Sequence, residues 1–375
     1  MNGRNGSSDN GASGGAQRTY DVTGMPGAAG ADVQPGASAQ TGTAAQPGAS
    51  AQIGAAVQPG TSAQIGSAAQ TGTAAQPGAF AQPGTVVGQG PAGPSRAFPP
   101  RALTVAGSDS GGGAGIQADL KTFQALGVFG MSAITAVTAQ NSLGVQAVYA
   151  LPREAVRAQL DAVLGDIGAH ALKTGMLCSP DIVETVAEVI ADYGIRHVVV
   201  DPVLHAKDGS ALLRREALSS MRGTLLPLAE VVTPNIPEAC ELLGLPEDSI
   251  RTMGDMIRAA RELLQFGSRW VLLKGGHLLE ETESGTGLSP QSTDILVGAS
   301  DPAAEPILLQ ADRLITRHTH GTGCTTASAI AAGLALGLTP PEAARKAKRY
   351  VTAAIAASVP LGGGIGSLWH NVSVE

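Results

Sequence analysis

The sequence predicts an α/β fold over residues 101–375, a central and mostly parallel sheet flanked by helices on both faces. Three observations carry that prediction. Short β-branched runs alternate with longer runs of helical spacing. Each strand-like run closes at polar or glycine residues, and about 270 residues is ample for one such domain with a large core.

The strand runs are ALTVA from Ala102, SAITAVTA from Ser132, HALKTG from His170, HVVVDPV from His197, EVVTPN from Glu230 and WVLLKGG from Trp270. Between them IQADLKTFQALG, REAVRAQLDAVLGDI, DIVETVAEVIADYG and GDMIRAARELLQFG carry apolar residues at helical spacing. A last helical stretch, TTASAIAAGLALGL, is opened by the run HGTGC at residues 320–324.

Residues 1–100 differ in kind. Gly, Ala, Gln, Ser, Thr and Pro dominate them with hardly a charge or an aromatic, a composition that cannot bury a core. Within them Gln recurs every six residues over 34–82, and Gly in step over 36–84, an internal repeat. The residue before each repeat Gly is Pro at five positions, Pro35 and Pro47 among them, and Ile only at Ile53 and Ile65. That pattern will not build the inward aliphatic stack of a β-helix. A disordered, partly extended tail is expected, with a repeat-mediated interaction surface as the lesser alternative.

The net charge of −7 includes no basic block, which argues against a nucleic-acid partner. No apolar run is long and unbroken enough to span a bilayer, and the N-terminus lacks a signal-peptide core, so no membrane association is expected. Cys178, Cys240 and Cys324 are odd in number and lack metal-ligand spacing. A reduced, cytoplasmic protein follows as the expectation.

Ligands of doubly wound sheets gather at the carboxyl ends of the strands, which makes the closing residues of each run the candidates. The first run closes in GSDSGGGAG, residues 107–115, leading into a helix. Such glycine density permits close backbone approach to a ligand and leaves amides free at the helix start. No Lys-Ser/Thr pair follows, so it is not a P-loop. Gly113, Gly115 and Ala118 match the dinucleotide fingerprint weakly, because Ala139, Gln140 and Asn141 stand where an acid is wanted.

Further along, Asp201 closes a strand run as a candidate metal ligand or as a simple turn cap. Thr233 and Asn235 precede Glu238 in TPNIPE, which reads as a helix cap and also as an acid and an amide suited to Mg²⁺ beside nucleotide phosphates. Lys274, followed by Gly275 and Gly276, ends an apolar run where burial is expensive unless the ammonium meets an anion. In HGTGC, Gly321 and Gly323 permit a tight turn that presents amides at a helix N-terminus. Cys324 sits in that first turn, where the helix field stabilises a thiolate. Bare amides, a lysine, an acid for magnesium and a possible base are the parts that phosphoryl transfer needs.

The stretches VAGSDSGGGAGIQADLKTFQALG, TAQNSLGVQ, KTGML, VVVDPV, TPNIPEA, LLKGGH and HGTGCTTASAIAAGLALG resemble, in order and spacing, the hydroxymethylpyrimidine and phosphomethylpyrimidine kinases of thiamine biosynthesis. These are a branch of the ribokinase-like kinases, and the resemblance extends over about residues 102–370. It implies a ribokinase-like three-layer fold with ATP as co-substrate and Mg²⁺ as cofactor. It also implies phosphorylation of 4-amino-5-hydroxymethyl-2-methylpyrimidine at its alcohol, then a second phosphorylation to the diphosphate.

By matching motif, the resemblance places Gly107, Asp109, Gln140, Met176 and Val203 around the pyrimidine. The Gln140 amide suits a donor-acceptor edge, since it offers both functions. Thr233, Asn235, Lys274, Gly275, Gly276 and Thr322 fall to the nucleotide, Glu238 and Asp201 to the metal, and Gly321 to Gly323 to the anion hole. Cys324 stands where the wider superfamily has Asp. The base is therefore open between a thiol of lowered pKa and a metal-oriented alcohol needing little help. A homodimer is expected.

The nearest alternative is a pyridoxal kinase of the same branch, against which AQN at residues 139–141 and the KGGH ending weigh. A nicotinamide oxidoreductase rests on the weak fingerprint. An assembly protein with a vestigial kinase rests on the repeats.

Overall fold

The computed structural model describes residues 98–205, 212–213, 216–276, 278–282 and 285–374. The tail expected over residues 1–100 falls almost wholly outside them, as does His277 of the KGGH run.

The strand β1 (Arg101–Asp109) leads into α1 (Gly115–Ala125), and β2 (Phe129–Asn141) turns back as β3 (Gly144–Ala150). There follow α2 (Arg153–Asp166), β4 (Ala171–Thr174), α3 (Pro180–Asp192) and β5 (Val198–Val200). A short α4 (Ala217–Ser220) precedes β6 (Val231–Val232), α5 (Ile236–Leu243), α6 (Met253–Leu263) and β7 (Trp270–Leu273). The pair β8 (Leu279–Thr282) and β9 (Gly285–Leu288) makes a separate hairpin. Then β10 (Gln291–Gly298), β11 (Ile307–Asp312), α7 (Thr322–Ala335) and α8 (Pro340–Ala356) complete the chain.

The main sheet has nine strands in the order β11-β10-β7-β6-β5-β4-β1-β2-β3. From β7 to β2 all pairings are parallel, as expected; β3 at one side and β10 with β11 at the other are antiparallel. The strand and helical runs read from the sequence all fall on these elements. The antiparallel edges and α8 were not read. Every β3 residue is exposed or half-buried, so no buried apolar face marks it.

Alternation along the central strands divides the core in two. Ala102, Ala171, Val199, Val231 and Leu272 pack against α1, α7 and α8 on one face. Leu103, Leu172, Val198, Val200 and Val271 pack against α2, α3, α5 and α6 on the other. Burial on both faces lets very short strands hold, since each apolar side chain taken fully out of water contributes about 1.5–3 kcal/mol. Thus β5 needs only Val198, Val199 and Val200, all fully buried.

Strand β1 pairs with β2 on one side and β4 on the other, so chain order reverses there and opens a crevice at the carboxyl ends. Side-chain oxygens of Ser179, Asn235 and Thr252 cap α3, α5 and α6. The starts of α1 and α7, which line the crevice, have no side-chain cap. Among the described residues no helix is long and apolar enough to cross a membrane.

Candidate active site

A cleft of about 690 Å³ runs along the carboxyl ends of the strands and under the N-terminus of α7. Asp201, directly after β5, is buried and accepts hydrogen bonds from Thr233 Oγ1 at 2.9 Å and Lys274 Nζ at 3.0 Å. Lys274 Nζ lies 4.0 Å from Glu238 Oε2. Three strand ends and the start of α5 thus bring two carboxylates and one ammonium together.

Glu238 serves both readings made of it. Its backbone N–H donates to Asn235 Oδ1 and its carboxylate accepts from the Asn235 N–H, each at 2.8 Å, while the side chain also lines the cleft. Burial pushes its carboxyl up to about 7; the Asp201 charge adds to that and Lys274 works against it. Burial also disfavours the Lys274 ammonium, but the Asp201 and Glu238 carboxylates outweigh it and raise the pKa. Once Glu238 ionises, the cluster carries a surplus of negative charge.

Facing it is the uncapped start of α7. Gly321 adopts a left-handed φ of 88°, which reverses the chain into the helix. The amides of Gly323 and Cys324 follow it within the first turn and have no intrahelical acceptor. A Cβ placed on Gly323 would lie 3.4 Å from Lys274 Nζ and 3.7 Å from Asp201 Oδ2, so helix terminus and charge cluster border one space. Thr322, also on the cleft, donates its hydroxyl to the Thr319 carbonyl at 2.8 Å.

The thiol of Cys324 lies in this turn, and here the structure corrects the sequence reading. Burial pushes it up to about 11, although the Lys173 ammonium and the Gly115 backbone N–H favour the thiolate. Loss of hydration outweighs the helix field that led us to expect a lowered value.

The glycine loop is a second correction. Its amides do not wait for a ligand: the N–H groups of Gly111, Gly113 and Ala114 donate to the Asp109 carboxylate at 2.8, 3.0 and 2.8 Å. His320 Nε2 lies 2.9 Å from the same carboxylate. Burial alone would raise the Asp109 pKa, but these partners hold it below its ordinary value. With the Gly113 amide so engaged, the dinucleotide fingerprint loses the backbone donor that a pyrophosphate needs.

Beside this loop, Gln140 lines the cleft. Its Oε1 lies 3.0 Å from the Thr138 hydroxyl and its Nε2 3.3 Å from His320 Nε2, whose proton goes to Asp109, so the amide nitrogen keeps its donors for a ligand. Gly107, Met176 and Val203 form an apolar wall nearby. A Cβ at 107 would meet the Met176 Cε, the far end of a flexible side chain that would have to shift.

Two expected nucleotide contacts lie off the cleft surface. Thr233 is fully buried and holds Asp201. The Gly275 N–H donates to Asp294 Oδ1 at 2.9 Å, whereas Gly276 does line the cleft. Sequence reasoning missed Asp294, whose other oxygen accepts from Lys348 Nζ at 2.9 Å, and the apolar end made by Leu272, Leu309, Val351 and Ile355. No motif marks these. His320 stood inside HGTGC, yet its bond to Asp109 spans residues far apart in the chain. Among the described residues no group of three or more His, Cys, Asp or Glu side chains is disposed to hold a metal ion.

Residues 109–369 match the family model for phosphomethylpyrimidine kinase. The chain is 55% identical over 272 residues to a hydroxymethylpyrimidine/phosphomethylpyrimidine kinase from Streptomyces coelicolor, covering 72% of this chain and 94% of the relative. It is 45% identical over 272 residues to the enzyme of that name from Bacillus subtilis, with 72% and 94% covered. Among solved structures it is similar to the ADP complex of Bacillus subtilis pyridoxal kinase, with a TM-score of 0.65, 39% identity and coverage of 73% and 98%. A phosphomethylpyrimidine kinase from Clostridium difficile gives a TM-score of 0.57, 44% identity and coverage of 68% and 99%. Family model, relatives and strand-end chemistry agree, and the chain belongs to the phosphomethylpyrimidine kinase family, on a ribokinase-like α/β fold.

Proposed function

We propose that the chain transfers phosphoryl groups from ATP to 4-amino-5-hydroxymethyl-2-methylpyrimidine, first at the alcohol and then at the monophosphate, in thiamine biosynthesis. The observation that carries this reading is the convergence at Gly323 of the α7 amides with Lys274 and Asp201. Such a place suits the charge that develops on a transferring phosphoryl.

The pyrimidine packs against Gly107, Met176 and Val203, with Gln140 at its polar edge. The nucleotide base takes the apolar end at Leu309, Val351 and Ile355, and the phosphates pass Gly276 and Lys274 to reach α7. In the transfer, the alcohol oxygen bonds to the γ-phosphorus as the bond to the β–γ bridging oxygen breaks, releasing ADP. The deprotonated fraction of Cys324 takes the alcohol proton, and a loose transition state asks only modest help from a base. In the second cycle a phosphate oxygen of the monoester is the nucleophile toward another ATP.

Asp201 and Glu238 offer hard oxygen donors with surplus negative charge, and Mg²⁺ is commonly held by one or two carboxylates completed by substrate phosphates. Bound there, Mg²⁺ would offset charge on those phosphates. Three free cysteines fit a cytoplasmic setting, and exposed Val137 and Tyr149, register partners at the β3 edge, fit a homodimer.

A coupled ATP-consumption assay with the pyrimidine alcohol, its monophosphate and pyridoxal tests the reading. Turnover of the first two is expected. Preference for pyridoxal would overturn it, an outcome made worth testing by the pyridoxal kinase neighbours.

A further inference from the structure

Two charged side chains stand in the apolar end of the cleft, and the transfer chemistry uses neither. Asp294 of β10 accepts from the Gly275 N–H at 2.9 Å through Oδ1 and from Lys348 Nζ of α8 at 2.9 Å through Oδ2. The lysine also donates to Ser292 Oγ at 3.3 Å, two residues back on the same face of β10. Each side chain of the pair keeps only 12% of its surface exposed, and both line the cleft. Stability is a weak reason for an ion pair so desolvated, since apolar side chains of like volume would pack there as well.

The pair has bonding capacity left over. An ammonium carries three protons, of which Lys348 uses two, and a carboxylate accepts at about four positions, of which Asp294 fills two. A charged donor and a charged acceptor therefore remain side by side on the cleft wall.

Their position says what would take them. On α8, Lys348 precedes Val351 by three residues and Ile355 by seven, so the three share the helix face that lines the cleft. Val351 and Ile355 belong to the proposed wall for the nucleotide base. On β10, Ile295 pairs with Leu273, the last residue of β7, which sets Asp294 beside the Lys274 to Gly276 segment proposed for the phosphates. A Cβ on Gly275 would overlap the Thr293 carbonyl oxygen, so that segment lies hard against β10. The pair thus joins the base wall to the phosphate segment, and in a nucleotide the ribose is what joins base to phosphates.

We infer that Asp294 and Lys348 form a ribose subsite, in which a sugar hydroxyl donates to the Asp294 carboxylate and accepts the remaining Lys348 proton. The inference deepens the proposed function and rests on its placement of the nucleotide. A hydroxyl is donor and acceptor at once, so a single one can meet both charges. Bonds to ionised partners are also stronger than neutral ones, which makes the subsite worth its desolvation only when a sugar is present.

Titration calorimetry on the full chain with ADP, 2′-deoxyADP and 3′-deoxyADP, without the pyrimidine, reads the subsite apart from turnover. The parent is expected to bind at least one deoxy form about tenfold more weakly than ADP, the loss of one charge-assisted hydrogen bond. In Lys348→Met, with folding checked by its thermal melt, that ratio should shrink to about threefold or less. A pair that only anchors Gly275 would weaken all three nucleotides alike and leave the ratio unchanged. Should the methionine variant not fold, Asp294→Asn keeps an acceptor for the Gly275 N–H and is read in the same way. Equal binding of the three nucleotides by the parent, or a parental ratio in a folded variant, overturns the inference and leaves the proposed function standing. Absence of ADP binding overturns the placement of the nucleotide and the subsite with it.

Discussion

Gly321 leaves no room for a side chain against Gly113: a Cβ on Gly321 would overlap the Gly113 carbonyl oxygen. The turn that opens α7 and the loop that opens α1 therefore touch backbone to backbone. Gly321→Ala is expected to lose stability by about 1–3 kcal/mol, because its φ of 88° is also strained for alanine. Displacing the anion hole should cost turnover about a hundredfold. Thermal melts and kcat check both, and a parental kcat would show that the amides of this turn do not meet the phosphoryl.

Lys274→Ala removes the ammonium that bridges Asp201 and Glu238. A loss of about 2–4 kcal/mol in transition-state stabilisation is expected, as for one preorganised electrostatic donor. Steady-state kinetics should show kcat falling and the ATP requirement rising. Unaltered kinetics would leave this lysine with a structural role.

Gln140→Leu keeps roughly the volume while deleting the amide beside Thr138 and His320. The polar edge of the pyrimidine then goes unpaired, and kcat/KM for the alcohol should fall by about tenfold or more. The parental value would mean that the edge is read elsewhere.

Because burial pushes the Cys324 thiol up to about 11, the free protein holds it protonated at neutral pH. If its deprotonated fraction takes the proton, log kcat/KM should climb with pH through the range 7 to 9 without levelling, by about one per unit. Cys324→Ser should flatten that climb and lower the rate far more than the melting temperature. An unchanged profile in the serine variant leaves the alcohol to be oriented without a base.

Glu238 supplies a pH test of stability. Its folded value, about 7, lies above the ordinary 4.5, so between those values the folded state binds more protons than the unfolded one. Its contribution to stability therefore falls as pH rises through that window. Mg²⁺ held by the ionised carboxylates should relieve the penalty, raising the melting temperature more at pH 8 than at pH 5. Glu238→Gln, which keeps an acceptor for the α5 cap, should lose most of this difference. Equal Mg²⁺ effects at both pH values would place the metal away from Glu238.

Much of the site was legible because strand-terminal residues in an alternating chain must share one edge. Asp201, Glu238, Lys274 and Cys324 were found that way and do meet across the cleft. Thr233 and Gly275 were placed one layer too far forward, since chain position alone cannot tell a residue lining a cleft from one supporting it. Asp294, Lys348 and most of the apolar end, Leu309, Val351 and Ile355, went unread because they come from β10, β11 and α8, where no motif marks them.

The sequence by itself determined the alternating α/β architecture, the family and the strand ends that carry the chemistry, because periodicity and punctuation are local properties of the chain. Tertiary structure alone decided which polar groups remain available to a ligand. The amides of Gly111, Gly113 and Ala114 close on Asp109, and the Cys324 thiol is raised rather than lowered. Lys173, read only as part of the KTGML run, proves to be fully buried with Asp119 as its partner. Hydrogen-bond satisfaction and desolvation depend on what fills the surrounding space, and that comes from segments distant in the chain.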